Sequence, residues 1–403
     1  MVQVRALLAL IIAGAALGQT PSTPSARPPA LTSAIDAAFD HFYNLEFDTA
    51  LSELSGLAER YPQDAELQNH VAQTILYREM LRAGALETEL VTGGNAFLRF
   101  SKMNPSAADQ QRFFNAVDTS LRLANAALAS NPNDAAALYA QGVAYGLRSN
   151  YRFLVTKSWL AALRDATEAR KAHQRVIAID PKRIDARMIP GAHEYVVGSL
   201  SWHYRVLGFL AGFHGSKDGG IRTLEQVARE GEYNRSDAQV LLATIYRRER
   251  RPQEAVNLLK ELVRKYPRNY LFHFEMAQMY SDLGDKERAL AAVAEVDRLK
   301  RAGTPGYEAL MDEKILYFRA TIQFWYRDYD DALVAFRRIT AKAAQLDPNT
   351  GVTAWMRLGQ TLDIKGQRAE ALRAYRAAIA YAPASGVAEE CSDYLAHPYK
   401  AVN

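Results

Sequence analysis

The chain has 403 residues, 49% of them apolar and 23% charged, an ordinary globular balance with ample side chains for a large core. Its formal net charge of +4, or +3 without the segment carrying Arg5, is too even to point to nucleic acid or an anionic membrane. The single cysteine, Cys391, excludes an internal disulfide framework and a cysteine-based zinc cluster, and it reads as an inert buried thiol.

Residues 1–18 read as an export signal. Arg5 supplies a positive start, and Ala6 to Leu17 is an apolar run of 12 residues, too short to span a bilayer. Ala16 and Gly18 are the small residues a signal peptidase needs, which predicts cleavage before Gln19. The mature protein is then expected to be periplasmic, envelope-associated or secreted, with no transmembrane span. Residues 19–30 (QTPSTPSARPPA) form a Pro/Ser/Thr linker without apolar periodicity, which predicts disorder.

Residues 31–235 read as irregular helical repeats. Ala38, Phe39 and Phe42 recur at helical spacing, followed by Ala50, Leu54 and Leu57 and a stop at Pro62. The next helix opens at Ala65, with Val71, Ala72 and Ile75 on one face. Its continuation, Tyr77 to Pro105, reads as a lengthened helix and a loop around Gly93-Gly94. The second helix of that pair comes only at Ala107 to Ser130. Ala135 to Tyr145 is another first helix, and its partner, Arg164 to Ile179, is again delayed. Arg183 to Tyr204 predicts a helix broken or kinked at Pro190-Gly191. Gly212 to Gly220 reads as a glycine-rich loop leading into a helix over Ile221 to Glu230.

Residues 236–385 are regular. Leu242, Ala243, Tyr246, Ala255, Leu259, Leu262 and Pro267 fall at offsets 7, 8, 11, 20, 24, 27 and 32 from Arg235. A second unit carries Met276, Ala277, Tyr280, Gly284 and Ala289, and a third Ala320, Ala332, Phe336 and Ile339. The fourth is the clearest, with Trp355, Leu358, Gly359, Leu362, Gly366, Ala371, Tyr375, Ala378 and Pro383. Spacings of three and four place each half on one face of a helix. Small residues such as Gly359 and Ala371 let the two helices approach, a glycine suits the turn, and proline ends the second helix. Residues 386–403 read as a capping helix and tail with an outer polar face.

This order of large, small and breaker residues resembles the tetratricopeptide repeat, a helix–turn–helix unit of about 34 residues. The resemblance implies an all-α fold, a right-handed superhelical α-solenoid of stacked repeats that binds protein or peptide partners and is not an enzyme. Arg250 stands where the family has glycine, and Arg301 where it has proline. The stretch around residues 215–225 is also similar to the inclusion-body clearance family of repeat proteins. In the tetratricopeptide family four first-helix positions per repeat line a concave groove. Here that implies a partner-binding groove of Asp237, Arg247, Phe274, Gln278, Tyr317, Phe324, Met356 and Gln360, with the aromatic residues and Met356 as exposed anchors among polar groups.

No other stretch reads as a site. Gly212 to Gly220 lacks the Gly-Lys-Ser/Thr order and the preceding strand of a phosphate loop, since Lys217 follows Ser216. His193-Glu194 lacks a second histidine at position 197, where Val197 stands, and His203 lies too far along the helix to share an ion with His193. Neither a metal nor a cofactor is expected. The alternative to an adaptor is a ligand-binding protein whose irregular middle, Tyr77 to Gly220, encloses a small molecule or lipid.

Overall fold

The computed structural model describes residues 28–87, 102–199 and 215–401. Residues 1–18, read above as an export signal, residues 19–27 of the expected linker, the Gly93-Gly94 stretch and His203 lie outside the described residues. All of the regular structure within them is helical. Seventeen α-helices are α1 (Pro29–Tyr43), α2 (Phe47–Arg60), α3 (Ala65–Arg82), α4 (Ala107–Ser130), α5 (Ala135–Tyr151), α6 (Trp159–Ile179), α7 (Met188–Gly198), α8 (Lys217–Glu230), α9 (Arg235–Arg248), α10 (Pro252–Lys265), α11 (Tyr270–Asp282), α12 (Lys286–Arg301), α13 (Asp312–Trp325), α14 (Tyr329–Thr340), α15 (Pro348–Ile364), α16 (Arg368–Tyr381) and α17 (Gly386–Ala396). They form an α-solenoid in two compact units. Among the described residues one comprises 28–79, 103–199 and 215–245, the other 80–87, 102 and 246–401.

In the second unit each helix from α10 to α17 packs on the next, and α11, α13, α15 and α17 also meet one another in turn. That is the signature of stacked helix pairs, since no single pair can bury its own apolar face. The α15–α16 pair shows how the sequence builds one. A side chain at Gly359 would put its Cβ 2.4 Å from the Tyr375 ring, so only glycine leaves room for that ring. Tyr375 and Ala371 are fully buried beneath it, and the Tyr375 hydroxyl donates to Asp363 at 2.9 Å. The turn between the helices closes on Gly366 at φ +73°. Caps are placed as helix starts demand: Asp347, Asp285 and Ser385 accept from the backbone N–H of Thr350, Arg288 and Ala388.

The first unit departs more from its reading. Beyond the expected Tyr145, α5 runs to Tyr151 and passes into a π-helical turn, Arg152–Thr156, that ends on Lys157 at φ +54°. Then α6 begins at Trp159 rather than Arg164. Asp165 ties the three together, taking two 2.9 Å bonds from Arg148 and one of 2.6 Å from Arg152. Pro190 neither breaks nor kinks a helix. A short 3₁₀ turn, Ile184–Arg187, precedes α7, so Pro190 sits in the first helical turn, where its missing N–H has no partner to lose. The helix after the glycine-rich stretch starts at Lys217, four residues earlier than Ile221.

Candidate functional site

The inner row of first helices in the second unit is the structural counterpart of the expected groove. Arg247 stands at its start, with its Nε 2.8 Å from Asp282 and its Nη1 hydrogen-bonded to Gln278. Asp237 lies in the first unit and is buried. The remaining positions correct the sequence reading. Phe274, Tyr317, Phe324 and Met356 are not exposed anchors; they are 0%, 1%, 3% and 5% exposed, and Gln278 and Gln360 are buried as well. The physical reason is twofold: neighbouring first helices meet through these residues, and segments of the chain itself lie over them. Phe274 stacks on Phe318 with ring centres 3.9 Å apart, and the Arg357 guanidinium lies over Phe324 at 5.0 Å while its Nη1 reaches Gln360 at 2.9 Å.

Two segments of the chain occupy this face. At one end the non-helical tail after His397 returns over α13 and α15. The Tyr399 N–H donates to Asp363 at 2.8 Å, and its ring centre lies 6.1 Å from that of Phe324. Arg368 holds the base of the tail through the carbonyls of Tyr394 and Leu395, at 2.8 and 3.0 Å. At the other end Glu87 reaches the inner-row residue Lys314. The Lys314 ammonium donates to Glu87, to Asp347 at 2.8 Å and to the Thr350 hydroxyl. All four side chains are buried or nearly so.

The electrostatics of this cluster follow from burial. Loss of water pushes the Glu87 carboxyl up to about 8, with Asp347 and Glu275 adding to the rise and Lys314 opposing it. Burial also works to lower the Lys314 ammonium, but Asp347 and Glu87 outweigh it and hold the group above its ordinary value. Asp347 ends below the usual carboxylate range: burial pushes it up, while Lys314 and the Thr350 N–H more than compensate. Nothing in the sequence marks Glu87 as the partner of Lys314.

The other stretches singled out in the sequence have packing roles. A Cβ at Gly220 would lie 2.4 Å from the Tyr195 backbone nitrogen, and one at Gly219 2.1 Å from the Glu194 carboxylate. These glycines bring α8 against α7, and Ser216 caps α8 by accepting from the Gly219 N–H at 3.1 Å. His193 is buried with its pKa lowered to about 4, by loss of water first and by Arg170 second, so it is neutral at pH 7. Among the described residues no three His, Cys, Asp or Glu side chains are gathered to hold a metal ion. The first unit also contains an open cleft of about 580 Å³, lined by Leu31, Tyr61, Glu66, Ala124, Ala137 and Ala140 among others.

A tetratricopeptide repeat profile matches residues 240–303, and a second matches residues 352–385. A solved tetratricopeptide repeat protein from Parabacteroides merdae ATCC 43184 is similar at 12% identity over 78% of this chain and 93% of that one, with a TM-score of 0.32. The human IFIT1 dimer with m7Gppp-AAAA is similar at 12% identity over 92% of this chain and 86% of that one, with a TM-score of 0.45. No curated protein is a significant match in sequence. Residues 240–303 and 352–385 are tetratricopeptide repeats, units whose stacked helices generally serve as scaffolds for protein interaction and are typically non-catalytic. No helix among the described residues is long and apolar enough to cross a membrane.

Proposed function

We propose that this protein is an exported, non-catalytic adaptor that holds a protein or peptide partner on the inner row of α11, α13 and α15. The observation that carries this reading is that the inner row already receives peptide chain. The tail leaves the last turn of α17, whose carbonyls Arg368 binds, in extended conformation, with His397 at φ −125° and ψ 118°, and is held on the inner row through the backbone N–H of Tyr399 on Asp363. Main-chain groups of this kind are what any extended segment offers, so the same row suits a segment from another protein. Capture by the mature chain, residues 19–403, from a native envelope extract tests it. A partner retained by the wild type and lost with a folded Asp363→Ala/Lys314→Met variant supports the inner row, and a partner indifferent to that variant moves the site elsewhere. Export is tested by the N-terminus of the purified protein, which is expected to be Gln19.

A second reading rests on the cleft between α1–α3 and α4–α5, whose volume of about 580 Å³ lies in the range of small-molecule sites. It is favoured if native mass spectrometry finds a co-purifying small molecule that an Ala137→Trp variant no longer carries.

A further inference from the structure

The contact between Lys314 and Glu87 is asymmetric. Lys314, Asp347 and Thr350 would remain bonded to one another if Glu87 left, because Asp347 and Thr350 belong to the start of α15 and the ammonium keeps both partners. Glu87 has no such support. Its second oxygen is buried without a hydrogen bond, and the carboxylates of Asp347 and Glu275 oppose its ionisation. One ammonium thus serves two carboxyl groups, and the one brought by Glu87 is the less well satisfied. The rest of its segment is seated by shape. The Ala85 N–H closes a turn on the Met80 carbonyl at 2.7 Å, Gly84 has φ +70°, and a Cβ at Gly84 would fall 2.0 Å from the Asp347 carboxylate.

We propose that residues 80–87 are a displaceable plug: an intramolecular occupant of the Lys314 end of the inner row, which must leave before a peptide from elsewhere takes Lys314. This rests on the adaptor reading. The plug is a ligand joined to its own site, so it competes at an effective concentration on the order of millimolar. A weakly binding partner is excluded, and one that offers a better-satisfied acidic group is admitted.

The test uses the chain of residues 19–403 and a fluorescent, end-capped peptide of residues 80–87 supplied in trans. Wild type is expected to ignore the peptide, because its own copy fills the site. Glu87→Lys sets a second ammonium against Lys314 and expels the segment, while Gly84→Val expels it by collision with Asp347. Both variants are expected to bind the wild-type peptide at least about tenfold tighter than wild type does, and neither should bind a peptide carrying lysine in place of glutamate. Amide exchange at Ala85 should quicken in both variants while α11–α16 stay protected. The proposal is overturned if the peptide binds all three proteins equally or none of them, or if exchange at Ala85 is unchanged. It also fails if both variants lose cooperative melting, since a plug leaves without taking the array with it. A peptide that enters opened variants which capture no protein sinks the adaptor reading alone. A partner held equally by wild type and variants sinks the plug alone.

Discussion

Arg250 illustrates how a single departure from a repeat pattern is accommodated. It stands where the family places glycine, and it takes the left-handed conformation that glycine favours, φ +58°, as Arg327 does at +66° and Gly366 at +73°. A side chain in that region costs roughly 1–2 kcal/mol, partly offset by glycine's larger entropy in the unfolded chain. Arg250→Gly should therefore stabilise the protein by about 0.5–1 kcal/mol, read as a higher urea midpoint at unchanged slope. Titrating residues are legible only from the fold. His173 is fully buried against Tyr139, and burial, with Arg183 second, lowers its pKa from 6.5 to about 3. The unfolded chain takes up that proton first, so the stability it contributes is full above pH 6.5 and lost as pH falls toward 3. Melts between pH 7.5 and 4.5 should show a shallower acid-side decline for a folded His173→Gln protein. Glu87 has the opposite sign. The folded state keeps its proton up to about pH 8 and the unfolded state only to 4.5, so its contribution is full below 4.5 and lost as pH rises to 8. The protection of the Ala85 amide relative to its intrinsic exchange rate should fall across that range, and Glu87→Gln should abolish the fall.

At the scale of the helix pair, the tightest contacts are made by the smallest residues. Adding one methyl at Gly359 sets a Cβ against the Tyr375 ring at 2.4 Å, and Ala371→Leu crowds the same seam. Each should cost about 1–3 kcal/mol through overpacking, and an unchanged melting temperature for both would contradict the α15–α16 packing. Phe274 makes the complementary case. As an exposed anchor its truncation would weaken binding and spare stability. Stacked on Phe318 and fully buried, Phe274→Ala should instead cost about 3–5 kcal/mol. Thermal denaturation separates these outcomes.

At the scale of the whole chain, the inner row is shaped by residues far from it in sequence. Ending the chain at Ala396 removes the Tyr399 N–H from Asp363 and its ring from Phe324. We expect a loss of about 1 kcal/mol and greater binding of a hydrophobic dye, with α13–α16 still folded. A truncated protein with unchanged dye binding would show that the tail does not cover Phe324.

The regular pairs were legible because their information is local. A helix returns to the same face every three or four residues, so Gly359, Ala371 and Tyr375 announce their contact within 17 positions of one another. The glycines of residues 215–220 carried an ambiguous signal, since close helix packing and anion binding call for the same residue, and only the position of α7 decides between them. The tetratricopeptide resemblance also implied that Phe274, Tyr317, Phe324 and Met356 share one row, but it is silent on what lies above that row. That was decided by contacts such as Glu87 with Lys314, which are 227 positions apart. Local spacing by itself determined the repeats; the tertiary structure alone decided whether their inner face is open, because burial depends on segments that no helical period connects.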